Sequence, residues 1–146
     1  MQLYRGFVEP IENGLHENHY LTIPRKPKNS HANVHEVADE WFNNKFGIRA
    51  RTQTIFCTPD IEQAKEYGKP YKLNVVKDSN CKLVFSPLVK DFIEIVVDIN
   101  DVNSNKEIID WLEGKAYEVV TSPYDLPAEF CGEVMLYCEK YEVEDF

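Results

Sequence analysis

Residues 54–68 read TIFCTPDIEQAKEYG, and the organisation of the chain follows from how this stretch turns. Residues 52–57 (TQTIFC) are β-branched and aromatic and read as a strand. Thr58 then reads as a helix N-cap, with Pro59 at the first helical position. Asp60 and Glu62 sit in the first turn, where carboxylates favour the positive end of the peptide dipoles, and Gly68 lies just past the end. A strand therefore passes straight into a short helix at Thr58. The amides at such a helix start suit an anion. Phe56 and Tyr67 bracket the unit, placed to flank a planar ring.

Outward from this unit, residues 33–46 predict the clearest helix. Val34, Val37, Ala38, Trp41 and Phe42 recur at helical spacing, and Gly47 supplies the stop. Residues 70–77 and 81–85 read as strands. Ser86-Pro87 opens a segment, 88–99, in which Leu88, Phe92, Ile95 and Ile99 fit a helix face while Ile93, Ile95, Val97 and Ile99 fit strand alternation; the Ser-Pro start tips it toward helix. Ser104 and Glu107 form a capping box before Ile108, Ile109 and Leu112, and Gly114 closes that helix. Residues 2–8, 116–121 and 132–144 read as further strands. Residues 10–32 read as a long irregular loop containing Asn13, Gly14, Pro24, Pro27 and Asn29; loops of this length in small domains tend to be functional. Strands and helices without regular βαβ alternation predict an α+β fold, with residues 1–146 as one domain.

Composition narrows the function classes. The 146 residues hold 16 Lys and Arg against 25 Asp and Glu, a net charge of −9. The apolar fraction of 43% and aromatic fraction of 12% exclude a disordered chain. The acidic balance argues against a stable duplex-DNA binder, which neutralises phosphates with clustered cations. No apolar run approaches the roughly 20 residues of a membrane span, and the opening MQLYRGFVEP lacks the pattern of a secretory leader. A cytoplasmic protein is the expectation. Cys57, Cys81, Cys131 and Cys138 form no C-x-x-C pair and are expected to pack as small hydrophobes. His31 and His35 are four apart but lack the Glu of a zinc helix, so no metal is expected. There is no G-x-G-x-x-G, no P-loop and no G-x-S-x-G.

Against that background a few residues stand out. Arg5, between Tyr4 and Gly6 on an aromatic strand, can present its fork of donors to a phosphate or ribose. Arg25, Lys26 and Lys28, with Arg49 and Arg51, are a local basic exception in an acidic chain, expected at the rim of an anion-binding cleft. Glu133 precedes the apolar run VMLYC; a carboxylate at a strand mouth can hold a sugar hydroxyl or stabilise positive charge on a sugar ring. Glu129 is a second candidate. Each has a plainer reading: a surface Arg, a core Phe56, a capping Thr58, a packed Tyr67, a solubilising Glu or a solvated basic cluster.

In their order along the chain, three of these elements resemble the ADP-ribosyltransferase superfamily. LYRG (3–6) resembles the first-strand arginine motif, TIFCTPDIEQAKEYG (54–68) the second motif, and GEVMLYCEKYEVED (132–145) the third, where a glutamate opens a strand. The chain also resembles small proteins of bacteriophages and bacteria that share LYRG, an R-x-P segment (Arg25-Lys26-Pro27) and F-x-T-P followed by YG. The resemblance implies a split β-sandwich, two small sheets around an NAD cleft with flanking helices. It implies a mono-ADP-ribosyltransferase that uses NAD as substrate and needs no metal. Glu133 would be catalytic. Arg5, Gly6, Phe56, Thr58, Tyr67, Arg25 and Arg51 would bind NAD, with Phe56 and Tyr67 stacking on nicotinamide. Cys57-Thr58-Pro59 stands where one branch carries Ser-Thr-Ser, and Cys131 where arginine-modifying members carry Glu or Gln. The acceptor, protein or nucleic acid, is therefore open. The alternative is a non-catalytic protein on the same scaffold, binding a nucleotide or inhibiting a host factor.

Overall fold

The computed structural model describes residues 1–26, 31–77 and 80–146. Pro27, Lys28 and Asn29, named in the sequence reading, lie outside these residues. Along the chain run strands β1 (Leu3–Phe7) and β2 (Gly14–Glu17), helix α1 (Ala32–Phe46), β3 (Ile55–Cys57), α2 (Ile61–Lys65), β4 (Lys69–Val75) and β5 (Lys82–Phe85). They are followed by α3 (Glu94–Asp98), α4 (Asn105–Gly114), β6 (Glu118–Val120), β7 (Val134–Tyr137) and β8 (Lys140–Glu144). The strands form two four-stranded sheets, one in the order β1-β4-β8-β2 and the other β3-β7-β5-β6. Every pairing within them is antiparallel. The expected α+β class holds, with two small antiparallel sheets.

Side-chain alternation explains the layering. On β7, Met135 joins Trp41, Phe42, Ile108 and Trp111 in a core between the second sheet and the helices. Its neighbours Val134 and Leu136 face the other way, into a core with Leu3, Leu73 and Tyr141 of the first sheet. β5 divides likewise, Val84 toward the helices and Leu83 and Phe85 toward the first sheet. The second sheet is thus buried on both faces, which is why VMLY is continuously apolar. The first sheet turns one face to solvent; β8 alternates exposed Glu142 and Glu144 with buried Tyr141 and Val143.

Predicted boundaries held for α1, which Gly47 ends in the left-handed region (φ 76°) with its N–H on the Asn43 carbonyl at 2.9 Å. Ser104 caps α4 by accepting from the Glu107 N–H. The box is half-built, because the Glu107 carboxylate accepts from Asn100 N–H at 2.9 Å. Three expectations change. The 10–32 loop contains a strand, β2, paired with β8. Residues 88–99 are helical only over α3. Residues 132–144 form two strands in different sheets, and the chain crosses between them at Cys138–Glu139. Asn18 holds that crossing, donating its side-chain amide to the Cys138 carbonyl at 3.0 Å and its backbone N–H to Glu139 at 2.8 Å. Three of the four cysteines are buried, as expected of small hydrophobes; Cys131 is exposed. No described helix is long and apolar enough to cross a membrane.

Besides sharing a core, the two sheets touch through the backbone. Tyr4 of β1 and Thr58, just after β3, exchange two backbone hydrogen bonds of 2.8 and 2.9 Å. A cleft opens beside this bridge.

Candidate functional site

The cleft has a volume of about 980 Å³, and Arg5, Gly6, Arg25, Arg51, Phe56, Thr58, Tyr67 and Glu133 all line it. Six separate segments contribute. Arg5 and Gly6 come from β1, Phe56 from β3, and Tyr67 from just beyond α2. Arg25 precedes α1, Arg51 lies in the turn after it, and Glu133 stands one residue before β7.

Glycines set the approach of α2 to β1. A Cβ on Gly6 would lie 2.1 Å from the Ala64 carbonyl oxygen, and one on Gly68 (φ 136°) would lie 2.5 Å from the Phe7 carbonyl. This contact brings Tyr67 to the cleft that Arg5 also lines. The Arg5 guanidinium donates to the Phe56 carbonyl at 2.8 Å. The Tyr67 hydroxyl donates to the Asp91 carboxylate. Burial, then that hydrogen bond and charge, hold the phenol well above the usual tyrosine range.

Phe56 is the centre of a stack. The Arg25 guanidinium carbon lies 3.9 Å from its ring centre and that of Arg51 lies 4.2 Å away. Both arginines therefore pack on the one phenyl ring. Arg25 also packs on Tyr20 at 3.9 Å, and Arg51 on Phe92 at 4.1 Å. Arg25 donates through Nη2 to the Thr54 carbonyl at 2.8 Å. Burial first, then repulsion from Arg5 and Arg51, bring its pKa down to about 10, still charged at neutral pH.

Arg51 is only 7% exposed. Asp39, on α1, fixes its turn: Oδ1 accepts the Arg51 and Thr52 N–H groups at 3.0 and 3.1 Å, and Oδ2 accepts the Thr52 hydroxyl at 2.9 Å. Arg51 Nη1 meets Glu133 Oε1 at 2.8 Å. Burial raises the pKa of Glu133, and the Arg51 charge opposes that rise. His35, buried near Arg25 and Arg51, lines the same cleft. Three buried atoms here, Arg25 Nε, Arg51 Nε and His35 Nε2, have no hydrogen-bond partner among the described residues.

The lining carries Arg5, Arg25, Lys26, Arg51 and Lys69 against Glu66, Asp91 and Glu133. That is an excess of two positive charges inside a chain of net −9. Cations gathered in a cleft with low-dielectric walls give it a positive local potential.

Several expected placements are corrected. Thr58 does not cap α2. Its hydroxyl accepts from Asp60 N–H at 3.1 Å, and Asp60 is the cap, accepting from Glu62 N–H at 3.0 Å. The start of this five-residue helix already holds a carboxylate and is not an anion site. Arg49 lies outside the cleft, paired with Glu40 and Asp39 at 3.0 and 3.4 Å. Glu129 is exposed and does not line the cleft. Phe56 lines the cleft as expected and packs against both Arg25 and Arg51 there. Tyr20, His35, Asp39 and Asp91 were missed. For two of them a signal existed: His35 and Asp39 stand one helical turn apart beside the apolar stripe of α1, where an unexplained polar pair points to a buried network. Compared with protein-family models, curated proteins and solved structures, the chain has no significant match.

Proposed function

We propose that the cleft binds NAD and that the protein is a mono-ADP-ribosyltransferase on a split β-sandwich. The observation that carries this reading is the convergence of Arg5, Tyr67 and Glu133, from three distant segments, on one cationic cleft between two sheets. The fit to a dinucleotide is good at its phosphates: the charge excess matches a diphosphate, and buried guanidinium donors lack partners. At the nicotinamide end Tyr67, 45% exposed, is an available ring.

NAD supplies an ADP-ribosyl group on a bond to nicotinamide that breaks with its electron pair leaving on nicotinamide. Arg5, Arg25 and Arg51 neutralise the phosphates. Glu133 accepts a hydrogen bond from a ribose hydroxyl and stabilises positive charge developing on that ring. The walls exclude water and orient the acceptor, which bonds to C1′ and gives up its proton.

Incubation with labelled NAD and lysate tests the activity, with labelled protein or nucleic acid as the positive result. Glu133→Gln should abolish labelling while NAD affinity stays within about tenfold, ~1.4 kcal/mol. Arg5→Ala should weaken NAD binding tenfold or more, about 1.4 kcal/mol. Wild-type turnover in Glu133→Gln would overturn the assignment.

A second reading, a non-catalytic nucleotide binder, is favoured by the Glu133–Arg51 ion pair, which occupies the carboxylate. NAD binding without any transferred label would select it.

A further inference from the structure

We propose that the Arg25–Phe56–Arg51 stack is a diphosphate subsite, and that its occupation draws Arg51 away from Glu133, so that the ligand itself frees the carboxylate. The proposal rests on the nucleotide reading of the cleft and adds to it how the site is held closed and opened.

The stack has the features of a built anion site. Arg51 is more than nine-tenths buried, yet its Nε has no acceptor among the described residues, and neither does that of Arg25. Leaving a buried donor unpaired is costly, and more so when it is charged. The two guanidinium planes are fixed against Phe56, Tyr20 and Phe92, so little side-chain freedom is lost when they take a ligand. They pack on one ring, and a diphosphate, with a phosphate at either end, can engage both. The fork of an arginine matches two phosphate oxygens, which a single carboxylate oxygen on Nη1 does not satisfy. The remaining contact of that Nη1 is the Met135 sulfur at 3.3 Å, a weak acceptor.

Arg51 therefore has two competing anions. Without ligand it holds Glu133 through one oxygen. With a diphosphate on the stack, the second anion supplies more charge and more acceptor atoms to the same guanidinium. Glu133 then loses its partner and is left facing the cleft, where it is available to a ribose hydroxyl. The ion pair acts as a latch that the substrate's own phosphates release. A ligand without phosphates does not displace Glu133 and does not create a competent site.

The test uses the full chain, inorganic pyrophosphate as probe and titration calorimetry, with thermal melting as the check on folding. Pyrophosphate should bind wild type, and Arg25→Gln should weaken it about tenfold. Glu133→Gln, nearly isosteric, should tighten it about tenfold because Arg51 is no longer engaged. In the Arg51→Met background the same Glu133→Gln change should have no further effect, since the competition runs through Arg51. Equal tightening in both backgrounds would reduce Glu133 to a distant charge and overturn the latch. If Arg51→Met does not fold, the Arg51→Lys background, which keeps charge but not the fork, replaces it, with the Glu133→Gln gain expected to shrink; an undiminished gain overturns the latch. NAD binding and label transfer with no pyrophosphate binding would overturn the subsite alone. Pyrophosphate binding with the Arg51-dependent coupling, but no NAD binding, would overturn the NAD reading and leave the subsite standing.

Discussion

His35 stands where the cleft's cations meet the helix that supports them. It is 6% exposed, and its pKa lies below 6.5, first through burial, then through Arg51 and Arg25, with Asp39 pulling the other way. The fold therefore prefers the neutral ring. The unfolded chain takes up a proton near pH 6.5 while the folded chain resists, so this contribution is intact above that pH and declines as pH falls through the lower folded value. Urea unfolding at pH 7.5 and 5.5 should show wild type losing more stability than His35→Gln over that interval. Equal losses would mean that the ring titrates as it does in the unfolded chain. Arg25 and Arg51 were legible as cations out of place in an acidic chain. Phe56 was legible as an aromatic on a strand. That both arginines would pack on that phenyl was not legible, because such packing depends on how two distant turns are folded back, and neither turn has a local pattern that fixes it.

At the scale of elements, the seat of α2 on β1 decides whether Tyr67 reaches the cleft that Arg5 lines. The helix is five residues long and cannot be stable alone; it is held by its cap and by the bare backbone of Gly6. Gly6→Ala should cost about 1–3 kcal/mol in chemical denaturation, as the helix shifts to escape the Ala64 carbonyl. A variant as stable as wild type would show that the contact is looser than 2.1 Å implies. Asp39→Ala should cost about 1–3 kcal/mol by leaving the Arg51 and Thr52 amides unpaired, and should weaken pyrophosphate binding by loosening the Arg51 turn. The 54–68 unit was legible as strand, turn and helix because its punctuation is local. Its cap was misassigned by two residues because Thr58 and Asp60 are both good caps, and the bridge from Thr58 to Tyr4, a contact 54 residues away in sequence, claims the first. β2 was missed for a related reason. GLHE has no apolar alternation, and Leu15 is 58% exposed; the strand exists because β8 offers it an edge.

At the scale of the molecule, two cores share one wall. β7 contributes Met135 to one and Leu136 to the other. Leu136→Ala, at a fully buried position, should cost about 2–5 kcal/mol in denaturant unfolding. Val119→Ala on the outer strand β6, 40% exposed, should cost under about 1 kcal/mol. Similar losses at both would contradict the layered arrangement. The class was legible from strand and helix signals. The division into two sheets was not, because period-two alternation says that a strand has two faces without saying what covers each. The strand order also fixes a timetable. Among the described residues, β3 pairs in its sheet with β7 alone and β2 with β8 alone, and β7 and β8 follow the other described strands in the sequence. As a ribosome makes the chain, β2 and β3 emerge before their partners and keep open edges until residues 134–144 arrive, an interval in which mispairing competes with the native pairing. Glu133, one residue before β7, takes its place in the cleft over the same interval, so a chain that stops short of these strands has an incomplete cleft.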